Sequence, residues 1–151
     1  MKLAIREAEK NLLSMDGGPF GACVVRKGEI LAVGRSTVLR DKNASCHAEI
    51  NAIHRASKAM DSFDLTNCEI FSTTEPCPMC FSAIHWARIG KVYFGTEIKD
   101  AKKAGFNELS IPAAIMKKTG KSPVKLESGF LKPECLKLLS DWKKLPQKKV
   151  Y

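Results

Sequence analysis

The spacing of apolar positions divides the chain into alternating helical and extended stretches. Leu3, Ile5, Ala8, Leu12 and Leu13 recur at roughly helical intervals and predict a first helix that stops before the breakers Asp16-Gly17-Gly18-Pro19. The period then changes. Phe20 to Val25 and Ile30 to Val33 are short β-prone runs on either side of Lys27-Gly28, the pattern of a hairpin. Gly34 to Ser45 is polar and predicts a loop, after which Ile50, Ile53 and Ala56 share one face of a helix from His47 to about Met60. Cys68 to Thr73 predicts a strand, and Pro76 is suited to open the next helix, which runs through Ile84, Trp86 and Ala87 to about Arg88. Lys91 to Gly95 predicts a buried strand, Lys99 to Ala104 a short helix, Ile111 to Lys118 a helix stopped by Gly120, and Pro123 to Glu127 a last strand. Pro133 opens a terminal helix with Leu136, Leu139 and Trp142 facing inward, and Pro146 breaks it. This order predicts an α/β fold, a three-layer α/β/α sandwich around a mixed central sheet of about five strands.

Length and composition narrow the picture to one domain. A chain of 151 residues, 44% of them hydrophobic, can bury one sizeable core, so residues 1–151 are expected to form a single domain with 146–151 as a C-terminal tail. Charges are interspersed from Lys2 to Lys10, which leaves no secretory or membrane-spanning run, and a soluble cytoplasmic protein is expected. The net charge of +9 would attract a polyanion, and its lysines gather late, at 99–103, 117–118, 143–144 and 148–149. A solvated face is the simpler reading of such runs.

The candidate chemistry sits in two short motifs. Cys46-His47-Ala48-Glu49 opens one predicted helix, and Glu75-Pro76-Cys77-Pro78-Met79-Cys80 opens the next. His47, Cys77 and Cys80 offer one imidazole and two thiolates, a set suited to one Zn²⁺ per chain that leaves a fourth tetrahedral position open. Spacing of i, i+3 puts both sulfurs on one helical face. Glu49, two residues from His47, is placed to handle protons for a water activated by the metal. Adjacent residues rarely ligate the same ion, so Cys46 is not expected to join the set, and Cys23, Cys68 and Cys135 read as packing residues in a reducing compartment. His54 and His85 read as surface or packing histidines.

The pairing of His-x-Glu with Pro-Cys-x-x-Cys is the recognised signature of zinc deaminases. Together with Gly18-Pro19-Phe20-Gly21-Ala22, Trp86-Ala87-Arg88, Ala104-Gly105-Phe106-Asn107-Glu108 and the ending Lys148-Lys149-Val150-Tyr151, it makes nearly the whole chain resemble the cytidine deaminase-like superfamily. The resemblance is greatest to the bacterial guanine deaminase branch. It implies hydrolytic deamination of a nucleobase, guanine to xanthine, with Glu49 catalytic. It further implies a homodimer whose tail, 146–151, is exchanged between subunits or folded as a lid. Phe20, Ser36, Ala48, Trp86, Glu108 and Tyr151 then take substrate-binding roles, Trp86 stacking on the base and Tyr151 closing the pocket. For Phe20 and Trp86 a core role is the competing expectation. Ser36 replaces the Asn usual in the superfamily, and Glu108 stands where guanine deaminases carry Asp. Deamination of adenosine in tRNA, of a cytosine-type base, or a zinc-stabilised nucleic-acid-binding module without catalysis are the alternatives.

Overall fold

Hydrogen bonding follows the chain through twelve elements in the computed structural model, which describes residues 1–151. They are α1 (Lys2–Ser14), β1 (Gly21–Arg26), β2 (Glu29–Arg35), α2 (Val38–Asp41), α3 (Ala48–Met60), β3 (Cys68–Thr74), α4 (Pro78–Trp86), β4 (Lys91–Thr96), α5 (Ile98–Lys103), α6 (Ala113–Thr119), β5 (Lys125–Ser128) and α7 (Lys132–Lys144). The strands form one sheet in the order β2-β1-β3-β4-β5. β1 is antiparallel to β2 and β3, whereas β3, β4 and β5 run parallel. Lys27 and Gly28, at φ 50 and 84, form the two-residue turn of the β1–β2 hairpin, a left-handed pair of the type that matches strand twist.

Strand alternation decides which side chains meet which helices. Register aligns Val24 with Ile70 and Ile70 with Val92, and Ala22 with Ser72 and Ser72 with Phe94, so these residues share one face. That face packs on Ala48, Ala52 and Ala56 of α3, Phe81 and Ile84 of α4, and Ala113 of α6. Alanines at every fourth position let α3 lie close to the sheet. α1 and α7 cover the opposite face. A smaller cluster of Ala104, Phe106, Leu139 and Trp142 gathers Leu12, Phe20 and Tyr151 around it. No helix is long and apolar enough to cross a membrane.

The three-layer α/β/α architecture and the five strands agree with the expectation, and the differences have local causes. Pro78, not Pro76, occupies the first turn of α4, with Cys77 as its N-cap, and the helix ends two residues early because Arg88 turns left-handed at φ 60. α6 begins at Ala113 because Pro112 caps it. The polar stretch before His47 contains one helical turn, α2, and Ser36 and Thr37 are buried beside it. In α7 the inward stripe is Cys135, Leu138, Leu139 and Trp142, a true i, i+3, i+4, i+7 set, which leaves Leu136 39% exposed. In α1 the buried stripe is Ala4, Glu7, Ala8 and Asn11, with Leu13 89% exposed. Asn11 fills a core position because its amide donates to the carbonyls of Gly18 and Ser36, both at 2.8 Å.

Candidate active site

Two helix N-termini converge at the end of β3. His47 is the N-cap of α3, with extended φ and ψ of −68 and 160, and Cys77 is the N-cap of α4, at −63 and 168. Cys80 follows in the first turn of α4, so one strand end and two helix starts fix all three donors. His47 Nδ1 lies 3.7 Å from Cys77 Sγ and 3.6 Å from Cys80 Sγ, and all three donor atoms fall within 4.8 Å of one another. A tetrahedral zinc with a Zn–N bond of about 2.05 Å and a Zn–S bond of about 2.3 Å requires an N···S separation of about 3.6 Å. The donor set and its spacing therefore fit zinc. Cys46 takes no part in the cluster, and Cys23, Cys68 and Cys135 are buried.

Electrostatics favour a cation at this point. The Cys77 thiol is pushed down to about 4, first because Cys80 donates to it and also because of His47. Cys80 rises well above its ordinary range because its proton is held toward Cys77 and because it is buried. Cys77 is thus drawn toward the thiolate, the form that ligates a metal, facing the positive ends of two helices.

Glu49 lies beneath this cluster. It is buried, accepts a hydrogen bond from Ser72 Oγ at 3.1 Å, and its other oxygen stands 3.5 Å from Cys80 Sγ. Burial raises its pKa, and the charge of Cys77 adds to the rise. Ser72 reaches it because β3 alternation turns Ser72 to the α3 face. A serine at a position otherwise set for an apolar side chain was the readable signal for this contact.

A cavity of about 290 Å³ opens beside Glu49. Phe20, Ser36, His47, Ala48, Glu49, Cys77, Glu108 and Tyr151 line it, so most of the expected site residues come together. Tyr151 folds over this cavity in its own chain. Its hydroxyl accepts the Gly18 N–H at 2.8 Å and shares a 2.6 Å hydrogen bond with Ser36 Oγ, while its main-chain oxygen accepts the Asn107 N–H at 3.0 Å. Phe106 meets the Tyr151 ring edge-on at 5.7 Å and the Phe20 ring at 4.7 Å. At Gly18 a Cβ would stand 2.6 Å from a Phe20 ring carbon and 2.8 Å from a Phe106 ring carbon, so a larger residue there would have to displace both rings. Burial pushes Glu108 up to about 7, with Cys77 contributing.

Trp86 is the exception among the expected contacts. It is 76% exposed and lines a separate groove with Phe63, His85 and Arg88. It lies nine residues beyond Cys77, and at about 1.5 Å per residue α4 carries it about 13 Å away along the axis. Within one chain Trp86 therefore stands apart from the cavity, and its exposure leaves it outside the core. His85 packs against Ser122 at 2.9 Å, and His54 is exposed. Thr74, Glu75, Phe106 and Asn107 also line the cavity, though neither periodicity nor motif spacing marked them as site residues.

The profile described as "Cytidine and deoxycytidylate deaminase zinc-binding region" matches residues 1–96. The chain is 34% identical to the guanine deaminase of Bacillus subtilis (strain 168) over 151 residues, covering 100% of this chain and 96% of that protein. It is 32% identical to the tRNA-specific adenosine deaminase of Buchnera aphidicola over 124 residues, 82% of this chain and 79% of the relative. Among solved structures, the guanine deaminase from Nitrosomonas europaea superposes with a TM-score of 0.85 at 26% identity, over 95% of this chain and 82% of its own.

Proposed function

The chain belongs to the deaminase family defined by the cytidine and deoxycytidylate deaminase zinc-binding region, and we propose that within it the protein is a zinc-dependent guanine deaminase releasing ammonia and xanthine. The observation that carries the choice of a free base is the roof. Tyr151 closes a cavity of about 290 Å³, at the lower end of the roughly 300–1,000 Å³ of small-molecule sites, which suits a single ring system better than a nucleotide held in an RNA loop.

His47, Cys77 and Cys80 are the residues that would hold zinc. When bound there, zinc supplies the acidification of a water, lowering its pKa from about 15.7 toward about 7. Glu49 accepts one proton from the attacking water and passes it to the ring nitrogen, then takes the second from the hydroxyl newly bonded to the ring carbon and passes it to the amino group, which leaves as ammonia. Its raised pKa suits both halves of that exchange, and Ser72 fixes which oxygen faces the substrate. Water adds to the amino-bearing carbon, the C–N bond breaks, and the ring keeps the oxygen. Glu108, poised near neutrality, is a second proton-carrying group on the cavity wall. Phe20 and Phe106 supply the apolar walls against which a planar ring lies.

Ammonia release from guanine, cytosine, cytidine, adenine and adenosine tests this reading, with zinc content measured on the same preparation. Turnover is expected on guanine with about one zinc per chain. Turnover confined to an anticodon stem-loop, falling steeply with salt, would instead establish the tRNA reading. Zinc binding with no ammonia from any substrate would establish a binding module.

A further inference from the structure

Glu75 stands between β3 and α4, two residues before Cys77, and lines the cavity. Its carboxylate is committed to two distant main-chain groups. Oε2 accepts the Ile98 N–H at 3.2 Å and Oε1 accepts the Ala113 N–H at 2.8 Å. Ile98 is the first residue of α5 and Ala113 the first of α6. Everything between the two helices, including Phe106, Asn107 and Glu108, is therefore tied at both ends to one side chain.

The tie matters because Phe106 packs this segment into the core beside Leu139 and Trp142, while its polar part, Asn107 to Pro112, has no such anchor. It pairs with no strand, and Pro112, the N-cap of α6, makes no side-chain cap hydrogen bond. At its middle the Asn107 N–H donates to the Tyr151 main-chain oxygen at 3.0 Å, and farther on Lys102 Nζ donates to Ser110 Oγ at 2.7 Å. Glu75 is itself anchored, its N–H donating to the Thr96 carbonyl at 2.8 Å. The sheet, the loop that carries Cys77 and the segment that carries Glu108 thus meet at one residue.

The geometry points to Glu75 as a positioning residue: it holds the Glu108 segment, and through Asn107 the Tyr151 roof, at a fixed place relative to Glu49 and the metal donors. This inference rests on the deaminase reading above for its effect on turnover, but not for its effect on structure. The two oxygens of one carboxyl group accept from two N–H donors here, a geometry that depends on both oxygens and on the length of the side chain. Gln offers one acceptor and turns a donor toward the other amide. Asp keeps both oxygens on a side chain one methylene shorter.

Hydrogen exchange on the zinc-loaded protein reads the tie without any substrate. In E75Q the amide of Ile98 or of Ala113 should exchange about tenfold faster or more, with the core strands unchanged. E75D, which is too short to reach both, should free at least one of the same amides. On guanine, kcat/KM of E75Q should fall about tenfold to a hundredfold with zinc content unaltered. In an E108Q background, E75Q should cost clearly less than it does alone, because the carboxyl group it places is already absent and only the share carried by the Tyr151 roof remains. Wild-type exchange at both amides in E75Q and E75D would overturn the proposal. So would loss of zinc from E75Q, or the full E75Q penalty persisting beside E108Q. A wild-type protein that releases no ammonia from guanine would count against the assigned function alone, since the exchange measurement is independent of it.

Discussion

Replacing Glu49 with Gln separates proton transfer from every other task of the site. The substitution exchanges a carboxyl group for an amide of nearly the same shape at a buried position. Ser72 Oγ, now 3.1 Å from Oε1, can go on donating to the amide oxygen, and the new N–H group would stand about 3.5 Å from the Cys80 sulfur, where a thiolate accepts it. No buried partner is stranded, so the usual cost of about 1–3 kcal/mol for an orphaned polar group should not arise, and the three metal donors are untouched. What disappears is the ability to take and return protons. General acid–base catalysis contributes roughly 10²–10⁴ in rate, and Glu49 is assigned to both the water and the leaving group. The loss in kcat should therefore lie near the top of that range, about 10⁴ or roughly 5.5 kcal/mol of barrier. Ammonia release at saturating guanine, zinc content and the denaturant midpoint together decide the matter. Retention of kcat within about tenfold of wild type, with zinc still bound, would refute the role given to Glu49.

Y151F removes the hydroxyl that accepts from Gly18 and pairs with Ser36, so KM for guanine should rise about tenfold with a smaller change in kcat, as steady-state kinetics will read. Trp142 is buried at 0% exposure with no partner for its indole nitrogen, so W142A should cost about 3–5 kcal/mol in urea denaturation and W142F far less. Glu108 carries a folded-state pKa of about 7 against about 4.3 in an unfolded chain. Between those values the folded protein holds a proton that the unfolded chain has lost, so stability falls as pH rises through the window. E108Q should escape this, gaining about 1–2 kcal/mol on wild type between about pH 5 and about pH 8 once partial exposure is allowed for, as paired urea titrations will show.

The donor set was readable because metal ligation demands particular atoms at fixed spacing, and His47, Glu49, Cys77 and Cys80 advertise themselves as a pattern. The strands were readable because Val24, Ile70 and Val92 alternate with residues of the other face. What escaped reading depends on contacts far apart in the chain. Asn11 and Glu7 occupy buried turns of α1 because loop carbonyls and Arg35 await them, which no periodicity of hydrophobic residues can announce. Glu75 looked like part of a motif, yet its partners lie 23 and 38 positions away. Trp86 was given its stacking role by resemblance alone, and the rigid rise of α4 sets it apart from the cavity of its own chain.

The manner in which Tyr151 is fastened also bears on how a product would escape. The Tyr151 hydroxyl makes two hydrogen bonds and its main-chain oxygen a third, and at about 0.5–1.5 kcal/mol net each they favour the closed form by roughly 2–4 kcal/mol. At a factor of ten for every 1.4 kcal/mol, between about one molecule in thirty and one in a thousand is open at any instant. Terminal segments move in nanoseconds to microseconds, whereas a typical enzyme turns over about ten times a second. Departure of product should thus be far quicker than bond breaking, and added viscogen should leave kcat unchanged.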